Sequence, residues 1–118
     1  MRVITINIGP TDVSGDATAY GDAVVLGAVY AVQLIDGDFD DYVDITITSE
    51  QESLSIPILT SANFNTDQIV YPRVLESLNT DASALTTHAM PLAVGRIKAV
   101  VAQGGDTKSG AAKLYIIE

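Results

Sequence analysis

The chain of 118 residues has no cysteine, no tryptophan and one histidine, and only six of its residues are lysine or arginine. Without cysteine there is no disulfide framework and no thiolate metal site, which fits synthesis in a reducing cytoplasm. A single histidine, His88, supplies neither a histidine metal cluster nor, without a positioned nucleophile and an orienting carboxylate, a catalytic triad. The cations Arg2, Arg73, Arg96, Lys98, Lys108 and Lys113 stand singly against 15 acidic residues, for a net charge of −9. A chain so charged lacks the basic face that nucleic acid or an anionic membrane requires. No apolar run is long enough to span a bilayer, because Gly27 and Gln33 interrupt Val24 to Ile35. Met1 to Pro10 has no basic region followed by an apolar stretch, so no secretory signal is expected. There is no amphipathic helical period, no alternation of strands with helices, no internal repeat and no domain boundary.

What remains is β-rich. Hydrophobic residues make up 47% of the chain and charged residues 18%. A single core is feasible at this length, since such a domain buries roughly 65% of its unfolded surface. The apolar surplus is then either core or surface held against other subunits. Val94 to Glu118 carries two alternating arms around Gly104-Gly105-Asp106-Thr107-Lys108-Ser109-Gly110 and is expected to form a β-hairpin. In it Ile97, Ala99, Val101, Leu114 and Ile116 take one face. Ala23 to Ile35 and Tyr42 to Ser49, joined at Asp36-Gly37-Asp38, are expected to form a second hairpin, with Val43, Ile45 and Ile47 inward. Leu54 to Thr60 alternates with Leu54, Ile56 and Ile58 on one face, and Pro57 places it at a sheet edge or bulge. Gln68 to Leu75 is a further strand. Thr11 to Asp22 and Ser61 to Asp67 are expected to be loops, and Glu76 to Leu92 a surface excursion with a short helical turn at Asp81 to Leu85. The expected fold is all-β: a single domain, residues 1–118, forming an antiparallel sandwich of about seven strands, jelly-roll-like.

The alternating strand at Arg2 to Ile8, with Ile4, Ile6 and Ile8 on one face, is expected either to be an ordinary edge strand or to act with the loop to residue 22 as an arm. As an arm it pairs with a neighbouring subunit, and the three isoleucines are then interface candidates. Tyr71 and Arg73 share a strand face and are residue types enriched at binding hot spots, so they are contact candidates too. Asp36, Asp38 and Asp40 are the only metal-like set, and they are weak calcium candidates. An EF-hand loop begun at Asp36 puts Asp41 where glycine belongs and Ile47 where the bidentate glutamate belongs. Lys108-Ser109 after two glycines lacks the spacing of a phosphate loop and reads as a turn. No catalytic residue and no cofactor are expected.

Three segments taken together resemble a known family. They are Asp36-Gly37-Asp38-Phe39-Asp40-Asp41 with Val43 to Thr48, Tyr71-Pro72-Arg73-Val74, and Gly95 to Gly110. Over Val29 to Glu118 the chain resembles the small capsid decoration, or cement, proteins of tailed bacteriophages. The resemblance implies a compact sandwich or jelly-roll that binds the outer surface of the major capsid protein lattice and stabilises the head. It implies a homo-oligomer, trimeric by preference although dimers occur in proteins of this type. It also implies synthesis in the host cytoplasm and a final place on the virion exterior. The alternative is a phage tail or baseplate β-domain, or a module that binds a host receptor or carbohydrate. The 6% aromatic content weighs against a carbohydrate platform.

Overall fold

A computed structural model describes residues 1–77 and 84–118. It contains β1 (Arg2–Ile8), β2 (Ala17–Ile35), β3 (Val43–Gln51), β4 (Leu54–Phe64), β5 (Gln68–Val70), β6 (Val74–Ser77), β7 (Ala84–Ala89), β8 (Leu92–Ala102) and β9 (Gly110–Ile117). No helix occurs among the described residues. Seven strands make one antiparallel sheet in the order β1-β9-β2-β8-β3-β4, with β5 added to β2, and β6 and β7 form a separate pair. The all-β antiparallel architecture therefore agrees with the alternation read from the residues.

The 19-residue β2 is the axis of this sheet. Its first part, from Ala17 to Ala28, pairs with β8, and its second, from Ala28 to Ile35, pairs with β9 on the opposite side. Inward side chains from all the long strands then meet in one core. Ile4, Ile6, Val29, Val32, Leu34, Ile45, Ile47, Ile97, Leu114 and Ile116 are all fully buried in it. Branched residues dominate because a β-branched side chain loses little rotamer freedom on a pleated surface and packs well there. Gly21 marks where β1 lies against β2 across that core, since a Cβ there would come within 2.8 Å of Ile4 Cγ2.

Both expected hairpins are corrected. β8 and β9 do not pair with each other, because β2 lies between them, and β8 likewise lies between β2 and β3. Alternation reveals which face a residue takes, but not which strand is its neighbour. The 36–42 and 103–109 connections must each cross an intervening strand, a step of about 10 Å at the usual strand spacing. A hairpin does form between β3 and β4, turned at Glu52 with φ of 53°. Other boundaries shift as well. β2 begins at Ala17, inside the expected loop, and β4 continues to Phe64. Gln68 to Leu75 is split between β5 and β6 around Pro72. Leu54 is exposed rather than inward. His88 stands exposed in β7, not in a loop. The expected helical turn over 81–85 falls mostly outside the described residues, and its Ala84 and Leu85 belong to β7.

Candidate functional site

One β-bulge builds the most distinctive surface. In the β2–β9 ladder Val29 faces Ile116 and Ala31 faces Tyr115, so Tyr30 is an extra residue on β2. The inward set changes phase there, from Val25 and Val29 to Val32 and Leu34. Such an insertion re-aims side chains. Tyr30 points out, and its ring meets Tyr71 edge-on at 5.7 Å between centroids. Arg73 places its guanidinium carbon 5.8 Å from the Tyr30 centroid and donates from Nη1 to the Tyr30 carbonyl at 3.1 Å. It also donates to the Pro72 carbonyl at 2.6 Å. Arginine thus satisfies a carbonyl of the bulge and stacks on the same residue's ring, a pairing suited to its planar, weakly hydrated head group.

Tyr30 and Tyr71 wall a shallow pocket of about 190 Å³ whose lining Met1, Ala31, Ile69 and Tyr115 complete. The Tyr115 hydroxyl donates to Gln33 Oε1 at 3.3 Å. The apolar surface continues to Val3, which sits opposite Tyr115 in the ladder, and to Ile117. Tyr71 is 55% exposed and Val3 47%. Tyr71 and Arg73, expected on one strand face, lie instead in the link between β5 and β6, where they join Tyr30 and, across the pocket, Tyr115, both far away in sequence. The only sequence signal for Tyr30 is a break in the period-two pattern of β2, visible once the burial phase is known.

The structure places Ile4, Ile6 and Ile8 inside the chain and not on an exposed face. β1 pairs in register with β9 of the same chain, and all three side chains are buried in the chain's own core. Burial of three isoleucines within the sheet is worth several kcal/mol, at about 1.5–3 kcal/mol each, which explains why the strand folds back instead of extending as an arm.

The acidic segment is used structurally. Asp38 Oδ1 accepts from the Ser109 amide at 2.6 Å, and the Asp38 amide donates to the Ser109 carbonyl at 3.0 Å. The Asp40 amide donates to the Gly104 carbonyl, and the Asp36 amide to Asp67 Oδ1. Thr11 ties the same end together: its amide donates to the Lys108 carbonyl, its Oγ1 donates to the Gly105 carbonyl and accepts from the Lys108 amide. The calcium candidates and the glycine-rich turn are therefore two halves of one loop knot. Among the described residues no three histidine, aspartate or glutamate side chains are grouped to hold a metal ion. Burial, and then the charges of Asp67, Asp41 and Asp38, push the Asp36 carboxyl above the ordinary aspartate range.

On the other half of the sheet, Tyr20, Val24, Leu26, Leu92 and Val100 are exposed beside Arg96 and Lys98. Arg96 stacks 5.1 Å from the Tyr20 centroid and donates to the Gly21 carbonyl, while Lys98 lies 3.8 Å from Glu50. The chain matches no family model, no curated protein and no solved structure.

Proposed function

We propose that this chain is a virion structural protein of the capsid-decoration type, which seats on the major capsid protein lattice and stiffens the head. The observation that carries the reading is the exposed apolar surface around Tyr30, Tyr71, Tyr115 and Arg73, in which Tyr30 and Tyr115 stand on β2 and β9 while Tyr71 and Arg73 reach them from the link between β5 and β6. Tyrosine and arginine anchors on a preformed surface lose little conformational entropy on docking and contribute disproportionately to binding. Several copies on a shell multiply modest contacts, so each seat need not be strong alone. The resemblance in the 36–48, 71–74 and 95–110 segments agrees with this role, and it favours a homo-oligomer. The chain acts here by packing and not by catalysis, without a cofactor.

The test adds purified protein to expanded phage shells that lack it and measures co-sedimentation and thermal rupture. Binding with a rise in rupture temperature of several degrees is expected, and both effects weaken in Tyr71→Ser and Arg73→Ala. Absence of binding to the shells overturns the proposal. A receptor- or glycan-binding module is the second reading, and the tyrosine-lined pocket is the observation that favours it, because sugars stack on aromatic faces. Glycan-array binding without shell binding selects it.

A further inference from the structure

We propose that the outer edge of β1 is a self-recognition edge, which pairs antiparallel with β1 of a second copy to form a two-fold dimer with one sheet continuous across the axis. The inference rests on strand geometry alone and holds whether or not the dimer seats on a capsid.

The long sheet ends in β4 on one side and β1 on the other. An open strand edge presents unpaired amides and carbonyls, and folded proteins blunt such edges with proline, bulges or charge. β4 carries the first two of these devices. It contains Pro57, and both register shifts against β3 put the extra residue on β4. One of these sites holds Asn63 at φ of 54°, secured by Asp44 Oδ1 accepting from its amide at 2.9 Å. β1 has none of them. Its seven residues pair with β9 without a shift, contain no proline, glycine or lysine, and carry a charge only at Arg2. Arg2 is turned away to Glu118 at 3.1 Å and to the Val24 carbonyl. Among the described residues no other strand pairs with β1.

The strand also suits itself as partner. Arg2-Val3-Ile4-Thr5-Ile6-Asn7-Ile8 is symmetric about Thr5 over its central three residues, Ile4-Thr5-Ile6. An antiparallel pair centred there sets Thr5 against Thr5 and Val3 against Asn7 on the outer face. On the inner face it sets Ile4 against Ile6, both already buried in the chain's own core, and Arg2 against Ile8, so the favourable cross-strand combination is the Thr5 pair. A closed two-fold contact uses the same patch on both copies and leaves no further free β1 edge. No acidic residue lies in residues 1–11, so a chain with a net charge of −9 meets little self-repulsion at this edge. Pairing also joins the two apolar surfaces that begin at Val3.

The absence of cysteine makes the test clean. Thr5→Cys is expected to form a disulfide-linked dimer under mild oxidation at micromolar concentration, because directly opposed side chains fall within disulfide reach. Val3→Cys alone is expected to stay unlinked, whereas a mixture of Val3→Cys and Asn7→Cys proteins links. Light scattering on the unmodified chain is expected to give twice the chain mass. Thr5→Lys and Thr5→Glu should each be monomeric with circular dichroism unchanged, and their mixture should dimerise again. A mass of one chain or of three, or equal linking at Val3 and Thr5, overturns the proposal. If the cysteine variants do not fold, the mass of the unmodified chain decides it. A dimer that binds no shell sinks the capsid reading alone, and a monomer that binds shells sinks this one alone.

Discussion

Ser49 and the half-buried Asp36 carry unequal burdens. Ser49 is fully buried on β3, and its hydroxyl both donates to the Val94 carbonyl and accepts from the Val94 amide at 2.6 Å. It therefore satisfies two backbone groups of β8 at once. Ser49→Ala takes up nearly the same space without overpacking the site, but it leaves both groups without a partner. The expected cost is about 1–3 kcal/mol for each unsatisfied group, read as a lower denaturation midpoint at unchanged slope. Asp36 is the opposite case. Its Oδ1 is buried without a hydrogen-bond partner, and its proton affinity is raised by burial first and neighbouring carboxylates second. A carboxyl that holds its proton more tightly when folded adds stability at low pH. That contribution is lost as pH rises through the raised folded value. Asp36→Asn removes the titration, so it should raise the melting temperature at pH 7 and have little effect near pH 3. A loss of stability at pH 7 contradicts the assignment.

At the scale of elements, β2 decides where the candidate site lies. Its bulge at Tyr30 turns one ring outward, frees a carbonyl for Arg73 and flips the inward phase between Val29 and Val32. Deleting Tyr30 leaves Val29 and Val32 two positions apart, which is the spacing a regular strand needs. The variant is expected to fold, with a cooperative melt and unchanged far-ultraviolet dichroism. It should lose the pocket wall and with it binding to any surface that Tyr71 and Arg73 help recognise. An unfolded product shows instead that the bulge is needed for closure of the sheet. Gly95 illustrates another constraint on an element. It sits within β8 at φ of 88°, where a Cβ would stand 2.1 Å from the Glu50 carbonyl oxygen, so even alanine strains the β3–β8 ladder.

For the molecule as a whole, charge and shape pull apart. The body measures 47 × 27 × 26 Å and carries a net charge of −9, with Asp36, Asp38, Asp40 and Asp41 gathered beside the 103–109 turn. Packing like charges at one end opposes compactness, and salt screens it over about 10 Å at 0.1 M. Raising salt from 0.02 to 0.2 M, on the order of a threefold shorter screening length, should raise the melting temperature. The rise should be smaller in Asp41→Asn. No salt dependence contradicts the view that the acidic end is held under repulsion.

Much of the fold is legible in the sequence. The inward residues of β1, β3, β8 and β9 were readable from alternation alone, and Pro57 marked β4 as an edge. Tyr71 and Arg73 do meet at Tyr30, but from the link between β5 and β6 and not on the strand face their spacing implies. The partners of each strand were not legible. The turns at Asp36-Gly37-Asp38 and Gly104-Gly105 look like hairpin turns locally, yet each spans a third strand. Nor was the meeting of Tyr30 with Tyr71, or of Asp38 with Ser109. The physical reason is one of range. Side-chain alternation and turn chemistry act over a few residues and specify which face is buried. Strand order and bulge position are chosen by how all the buried faces fill one shared interior, and only the folded chain makes that choice.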